Sequence, residues 1–212
     1  MKEIVIMGAG ELGKEVVWLI EDINRKKPTW VILGFLDDTK IEGDLYCGYP
    51  ILGPMNRLEQ LRETNSFYAV IAVQNGADKA MIAANHEDFK RWATIIHPTA
   101  VIAPESCIGD GSIVFPQVTV SVDTVIGKHV LLYIHSIICN DCKIEDYASV
   151  MSGVSVAEHV TIGERSYLSA GCDVYPHIKI GDGCRIAVGS NIDKDITNNT
   201  ETDRKNKGFF HK

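Results

Sequence analysis

The sequence lacks any uninterrupted apolar run close to the roughly 18 residues that a membrane-spanning helix needs. Its amino terminus reaches Gly8 and Glu11 too early for a secretory signal peptide, so we expect a cytoplasmic protein. Positive charge is scarce too, with 21 Lys and Arg against 28 Asp and Glu and a formal net charge of −7. This balance argues against nucleic acid or an anionic membrane as the main partner. It allows an anionic small molecule bound locally through backbone amides.

The sequence has instead a period of six in its carboxy-terminal half. Every sixth residue is Ile, Val or Leu without a failure: Ile102, Ile108, Val114, Val120, Ile126, Leu132, Ile138, Ile144, Val150, Val156, Ile162, Leu168, Val174, Ile180, Ile186 and Ile192. Four residues after each aliphatic, the side chain is usually small or medium in size. No helix has this period, whereas a triangular coil with three short strands per turn does. The pattern predicts a left-handed parallel β-helix of about five coils, stacked at ~4.8 Å.

A disulfide framework is not expected, because a cytoplasmic chain keeps its thiols reduced. Three of the six cysteines, Cys142, Cys172 and Cys184, occupy the small position of the repeat, which predicts burial in the core. Cys139 and Cys142 also form a C-x-x-C pair downstream of His135, which leaves a zinc or redox site open. No second pair supplies four ligands, so we expect no metal.

The amino-terminal half reads as a small α/β unit. A short apolar run, Ile4 to Met7, enters the glycine pattern of residues 8–13, GAGELG, and a helix with one apolar face follows. Strand, G-x-G-x-x-G and helix together are typical of nucleotide binding, because Gly8 and Gly10 let the backbone approach a phosphate or carboxylate. The helix terminus adds free N–H groups and a positive dipole end. The alternative is that the glycines only pack the helix on the strand.

A second strand, Val31 to Leu36, ends in Asp37 and Asp38, which could accept hydrogen bonds from ribose hydroxyls or a sugar amine. Further segments predict a helix near residues 55–62, a strand over 67–73 and a helix over 78–86, with about four strands in all. A full dinucleotide fold needs two such halves, which argues against hydride transfer. We therefore expect an α/β nucleotide-binding-like domain over 1–95, a left-handed β-helix over 96–196 and a polar tail over 197–212.

Several stretches carry a family resemblance along nearly the whole chain: MGAGELGKEV, GFLDD, YPILGPMNRLEQL, YAVIAVQN, IIHPTAVIAPESCIGDGSIV and the repeats. With them the chain resembles the sugar O- or N-acyltransferases of the sialic-acid O-acetyltransferase type. That family includes bacterial enzymes that acetylate UDP-linked amino sugars. The resemblance implies acetyl-CoA as donor, a nucleotide-linked sugar as acceptor and a homotrimer with CoA in the groove between neighbouring prisms.

The resemblance also implies which residues bind each ligand. The implied nucleotide-sugar contacts are Gly8, Gly10, Gly13, Asp37 and Asp38, and the implied CoA groove comprises Ser169, Ala170, Gly171, Val188, Gly189 and Ser190. The family closes over CoA with a Gly-Val-Pro-Ala-Lys type of ending, whereas this chain ends in residues 208–212, GFFHK.

The family's catalytic histidine has no counterpart at the matching position, which here is Asn140, followed by Asp141 and Cys142. The family also has Asn seven residues earlier, where this chain has Tyr133. An amide has no useful basicity near neutral pH. A catalytically degenerate relative that only binds or regulates is therefore the alternative to an active transferase.

The position of each residue in the repeat indicates which side chain could accept the proton of the substrate in place of the missing histidine. Residues 18 apart share a corner of the coil, so Asp123, Asp141, His159 and His177 form one column, and His135 lies a whole face away. We predict that His159 is the general base, that Asp141 orients it, and that Asn140 hydrogen-bonds substrate. The alternatives are that these histidines are ordinary surface residues, or that His177 or a neighbouring chain supplies the base.

Overall fold

The amino-terminal part forms a five-stranded sheet flanked by helices in the computed structural model, which describes residues 1–64 and 66–203. Its strands are β1 Lys2–Met7, β2 Trp30–Leu36, β3 Leu45–Tyr46, β4 Tyr49–Gly53 and β5 Tyr68–Ile71. Its helices are α1 Glu11–Lys26, α2 Leu58–Thr64, which follows a 3₁₀ turn over Met55–Arg57, and α3 Gly76–Asn85. The sheet order is β3-β4-β2-β1-β5, and all neighbours are parallel except the hairpin of β3 and β4.

The expected strands and helices of this half are present, and the β3–β4 hairpin is an addition to them. Strand β1 buries its last four residues, and α1 buries one apolar face against the sheet. The hairpin turns at Cys47 and Gly48, which both have positive φ, as a two-residue turn between paired strands requires. Cys-Gly is not one of the usual turn signals, and β3 has only two residues, which explains why the sequence pattern missed it.

From residue 95 onward, the described chain is the predicted left-handed β-helix. Its strands are two residues long: β6 Ile95–Ile96, β7 Val101–Ile102, β8 Cys107–Ile108, β9 Ile113–Val114, β10 Thr119–Val120, β11 Val125–Ile126, β12 Leu131–Leu132, β13 Ile137–Ile138, β14 Lys143–Ile144, β15 Ser149–Val150, β16 Ser155–Val156, β17 Thr161–Ile162, β18 Tyr167–Leu168, β19 Asp173–Val174, β20 Lys179–Ile180, β21 Arg185–Ile186 and β22 Asn191–Ile192. Each strand from β7 onward ends on one of the predicted aliphatic residues. Those aliphatics, together with Cys142, Cys172 and Cys184, form or pack against a single hydrophobic core.

Every third strand belongs to the same sheet, so the prism has three faces. We call them the first face (β6, β9, β12, β15, β18 and β21), the second face (β7, β10, β13, β16, β19 and β22) and the third face (β8, β11, β14, β17 and β20). The chain turns between faces at the third residue after each aliphatic, where φ is positive in Asp141, His159 and His177 as well as in glycines. This left-handed conformation is uncommon outside glycine, so corner positions are under backbone constraint.

The α/β domain covers the first face of the prism. Apolar residues of that face, Ile95, Ile113 and Leu131, share one hydrophobic cluster with residues of α1 and β2. At one side of this contact, the His97 ring stacks on Trp18. Its Nε2 is hydrogen-bonded to Asp22 Oδ2 at 2.7 Å. This hydrogen bond lowers the pKa of Asp22. The two domains are thus joined by both apolar and polar contacts.

A buried lysine joins the other side of the interface. Lys79 in α3 is 2% exposed, and its Nζ donates to Ala148 O at 3.0 Å and to Ser149 Oγ at 2.9 Å. Burial lowers the pKa of Lys79 to about 7. Burial and then the charge of Lys79 lower the pKa of the neighbouring His129 to about 4. A lysine at the domain interface therefore titrates near neutrality.

The coil continues past residue 196, since Ile196 N donates to Lys179 O and Thr202 N donates to Arg185 O. The altered carboxy-terminal sequence, residues 208–212, lies outside the described residues. Within the described ranges, no helix is long and apolar enough to cross a membrane.

We compare the free energy of unfolding of the unaltered chain with that of a Lys79→Met variant. We expect the difference to change in favour of the unaltered chain between about pH 7 and pH 10. The depressed pKa of Lys79 means that the unfolded chain binds the extra proton in this window, so raising the pH favours folding. The difference should grow by up to about 1.4 kcal/mol per pH unit. Urea unfolding of both proteins at several pH values measures it, and a difference independent of pH would contradict the prediction.

Candidate functional site

The carboxyl ends of β1 and β2 meet at one edge of the sheet, where the glycine loop and the two aspartates lie side by side. Asp37 Oδ2 accepts from Ala9 N at 2.7 Å, and its Oδ1 accepts from the N and Oγ1 of Thr39. Burial raises the pKa of Asp37, but these hydrogen bonds lower it by more than burial raises it. The pKa of Asp37 is therefore below its ordinary value. The ionised carboxylate fixes the glycine loop.

Asp38 has a structural bond as well. Its Oδ1 accepts from Met55 N at 2.8 Å and so caps the 3₁₀ turn that follows β4. Across the loop, the Tyr46 hydroxyl donates to Gly10 O at 3.1 Å. The structure therefore brings the five predicted nucleotide-sugar residues to one edge of the sheet, and both aspartates also organise the protein around them.

The three glycines differ in what surrounds them. A Cβ added to Gly13 would lie 2.2 Å from Gly8 O, and one added to Gly8, whose φ is +111°, would lie 2.8 Å from Ala72 O. Gly10 has no atom within 4 Å of an added Cβ. It precedes α1 without a side-chain cap, so the helix terminus can offer its N–H groups to an anion. Gly8 and Gly13 fit the packing interpretation, whereas Gly10 fits close approach of a ligand.

The predicted acid–base residues lie together at the corner between the second and third faces. His159 Nε2 is 3.9 Å from Asp141 Oδ2, and Asn140 Nδ2 donates to that same oxygen at 2.6 Å. The side chains of His159 and Asp141 are about half exposed, at 48% and 43%. The distance suits an ion pair once the imidazole is protonated, and a small side-chain rotation would make it a hydrogen bond.

A second histidine packs on the opposite side of His159. The His177 ring is parallel to the His159 ring within 7°, with 4.8 Å between their centroids. His159 therefore lies between the Asp141 carboxylate and an aromatic ring. The 18-residue spacing placed these residues in one column, but ring stacking depends on side-chain rotamers that no spacing specifies.

Tyr133 occupies a different part of the molecule from Asn140. It is 9% exposed, its ring centroid is 4.5 Å from that of Phe115, and burial followed by a hydrogen bond to Glu15 of α1 raises its pKa. Tyr133 thus belongs to the contact between the two domains. His135 lies at the corner between the first and second faces, away from His159 as expected.

The predicted CoA residues follow the corner between the first and second faces. Gly171 and Gly189 both have a φ of +67° and no atom within 4 Å of an added Cβ, and Val188 is 50% exposed. Ser169 and Ala170 continue the same open edge. Within one chain, this edge and the His159 column lie on opposite sides of the second face, so the structure does not bring the two together.

Two family models match the chain. Residues 3–85 match the PglD N-terminal domain, and residues 159–194 match the bacterial transferase hexapeptide model of six repeats. A curated GDP-perosamine N-acetyltransferase of Escherichia coli O157:H7 is 27% identical over 165 residues, which are 76% of this chain and 72% of that protein.

Two solved structures extend the comparison. A histidine-to-asparagine mutant of perosamine N-acetyltransferase from Caulobacter crescentus, in complex with CoA and GDP-perosamine, is 24% identical with a TM-score of 0.86, covering 95% of this chain and 93% of that one. The acetyltransferase domain of PglB from Neisseria gonorrhoeae FA1090, in complex with acetyl coenzyme A, is 25% identical with a TM-score of 0.81, covering 94% and 95%.

These matches define the class as a PglD-type α/β domain joined to a hexapeptide-repeat β-helix. The chain is similar to sugar acyltransferases built from these two domains, which confirms the resemblance found in the sequence.

Alanine substitutions should separate the two roles of the glycines. We expect Gly13→Ala to lower the free energy of unfolding by about 1–3 kcal/mol, because its Cβ would collide with backbone. Gly10→Ala should leave stability nearly unchanged, since its φ of −101° is ordinary and its surroundings are open. Chemical denaturation of both variants tests this, and equal losses would show that Gly10 is also a packing residue.

Proposed function

We propose that this protein transfers the acetyl group of acetyl-CoA to the amine of a nucleotide-linked amino sugar. The observation that carries the proposal is the match along 95% of the chain to a fold whose solved relative holds CoA and GDP-perosamine together. The exposed Gly10 loop at the end of β1 and the ionised Asp37 support binding of the nucleotide part. Transfer to a hydroxyl is the related reaction that the same site could perform. We place the enzyme in the cytoplasm, in the synthesis of surface glycans.

His159 is the proposed general base. The sugar amine attacks the thioester carbonyl, a C–N bond forms and the C–S bond breaks, and His159 takes the proton that the nitrogen loses. CoA leaves as a thiolate that regains a proton, so the reaction balances as amide plus free thiol. Asp141 stabilises the imidazolium, and Asn140 can donate its second amide hydrogen to substrate.

One observation favours a second candidate function, a relative that binds ligands without turning them over. Asn140 stands where the family has its histidine. The perosamine N-acetyltransferase mutant in which asparagine replaces a histidine was solved with CoA and GDP-perosamine bound. Asparagine in place of a histidine is therefore compatible with binding of both ligands in a relative, and the rate measurement below decides between the two functions for this chain.

We also propose a homotrimer. The His159 column and the Gly171 edge lie at opposite sides of the second face, so a neighbouring prism is needed to bring base and CoA together. Four apolar side chains on the lower coils around the second and third faces are unusually exposed: Val101 (64%), Val122 (43%), Val125 (46%) and Ile137 (46%). A surface of this kind suits contact with another chain.

We expect His159→Ala to lower the rate of acetyl transfer by roughly 10²–10⁴, the usual effect of removing a general base. Asp141→Asn should also reduce the rate, because it removes the charge beside the imidazole. Asp110→Asn removes an exposed carboxylate at the corner between the third and first faces, away from both the His159 column and the Gly171 edge; it is the matched control for Asp141→Asn and should keep full turnover. Release of CoA thiol with a panel of UDP-, GDP- and dTDP-linked amino sugars measures these rates.

Full turnover in His159→Ala would remove His159 as the base. If no acceptor in the panel releases thiol from an unaltered protein that binds both ligands, the non-catalytic relative becomes the better description.

Sedimentation equilibrium at micromolar concentration should give about three times the 23.4 kDa chain mass. Paired substitutions of Val101→Asp and Ile137→Asp should dissociate the assembly and abolish transfer, because they place charges on the apolar contact. Asn191→Asp, at the polar end of the same face, is the control and should leave the mass unchanged. A monomeric unaltered chain would contradict both the trimer and the shared CoA groove.

A further inference from the structure

The corner between the second and third faces has no glycine at its positions of positive φ among the described residues. Those positions are held by Asp123, Asp141, His159 and His177, with φ between 53° and 64°. Each of the other two corners includes glycines in this conformation: Gly111 and Gly183 at one, and Gly153, Gly171 and Gly189 at the other. A side chain here is less favourable than glycine. A polar column kept in spite of this backbone strain is a candidate for a functional role.

The hydrogen-bond ladder holds three of these side chains in register. His159 N donates to Asn140 O at 3.1 Å, and His177 N donates to Glu158 O at 3.0 Å. Since φ is nearly the same at Asp141, His159 and His177, at 57°, 58° and 64°, their side chains leave the corner in the same direction. The backbone therefore presents each of them above the one before it, at the coil spacing of about 4.8 Å.

His159 is enclosed from two sides by this column. Its Nε2 is 3.9 Å from Asp141 Oδ2, and the His177 ring lies on the other side, parallel within 7° and 4.8 Å away between centroids. That separation is within the range of stacked aromatic pairs. The other ring nitrogen of His159, Nδ1, has no hydrogen-bond partner among the residues that the structure describes, and the side chain is 48% exposed. Nε2 thus faces the carboxylate, and Nδ1 remains available to a substrate.

We infer that His177 is a positioning residue for the general base: its ring holds the imidazole of His159 with Nε2 toward Asp141, so that Nδ1 is the nitrogen that accepts the proton. The inference rests on the proposed function, in which His159 is the base. An exposed histidine without such a neighbour can change its side-chain rotamer, and either nitrogen can then face the substrate. A flat ring stacked on His159 restricts this rotation and keeps the tautomer that donates to Asp141.

Steady-state kinetics of acetyl transfer by the full chain test this role. His177→Ala should lower kcat about three- to tenfold and leave KM for acetyl-CoA and for the nucleotide-linked sugar unchanged, because the ring acts on the base and not on the ligands. His177→Tyr should keep kcat within about twofold of the unaltered chain. Tyr147, whose φ is 63°, already stacks on His129 within 4° at another corner. Arg165→Ala, an exposed corner residue with a φ of 59° at that same corner, is the matched control and should keep kcat.

Two further measurements separate positioning from a general loss of structure. In a His159→Ala background, His177→Ala should change kcat no further, because the group that it positions is gone. Nitrogen-15 NMR of the imidazole rings, at a pH where His159 is neutral, should show its proton on Nε2 in the unaltered chain and a mixture of both tautomers in His177→Ala. The spectrum of His159→Ala identifies the signals of that ring.

Each result has a distinct meaning. If His177→Ala keeps full kcat, or if His177→Tyr loses as much rate as His177→Ala, the inference is wrong while the proposed transferase stands. Full turnover in His159→Ala removes the base and the inference together, again without removing the transferase. If the unaltered chain releases no thiol with any acceptor, the proposed function fails, and the NMR comparison still decides on His177, because equal tautomer populations in both proteins would overturn its positioning role.

Discussion

The hydrogen-bond ladder between successive coils is the constraint on which the rest of the molecule depends. Ile113 N donates to Val130 O, Leu131 N to Ala148 O, and Ser149 N to Ser166 O, so each strand lies directly on the next. This register puts residues 18 apart into straight columns, with aliphatics inside and corner residues outside. The column of Asp141, His159 and His177, the open glycine edge and the face that contacts the α/β domain are all consequences of one repeated backbone geometry.

The contact with the α/β domain determines which faces of the prism remain exposed. The α/β domain contacts the first face through an apolar cluster, the His97–Asp22 hydrogen bond and the buried Lys79. Helix α3 carries Lys79, whose ammonium group donates to Ala148 O and Ser149 Oγ and so joins the α/β domain to the prism.

The sequence was most informative where a short rule repeats. The six-residue period specified the β-helix and its columns, and helical spacing from Leu12 to Ile23 specified α1. The role of each glycine could not be predicted, because the clash that Gly13 avoids involves Gly8 O across a turn. Lys79 gave no signal either, since its partners Ala148 and Ser149 are about 70 residues away. The catalytic and ligand-binding assignments stay predictions, because reactivity depends on side-chain contacts and on neighbouring chains.

The stacked coils also have a translational symmetry along the axis of the prism. A side chain moved by one turn of the sequence meets the same corner, the same backbone conformation and the same column of neighbours, displaced by only ~4.8 Å. A functional side chain can therefore occupy the equivalent position on the next coil without any change of fold. Asp141 and His159, 18 residues apart, occupy equivalent corner positions on adjacent coils, whereas Asn140 lies one residue earlier and donates to the same carboxylate from beside it.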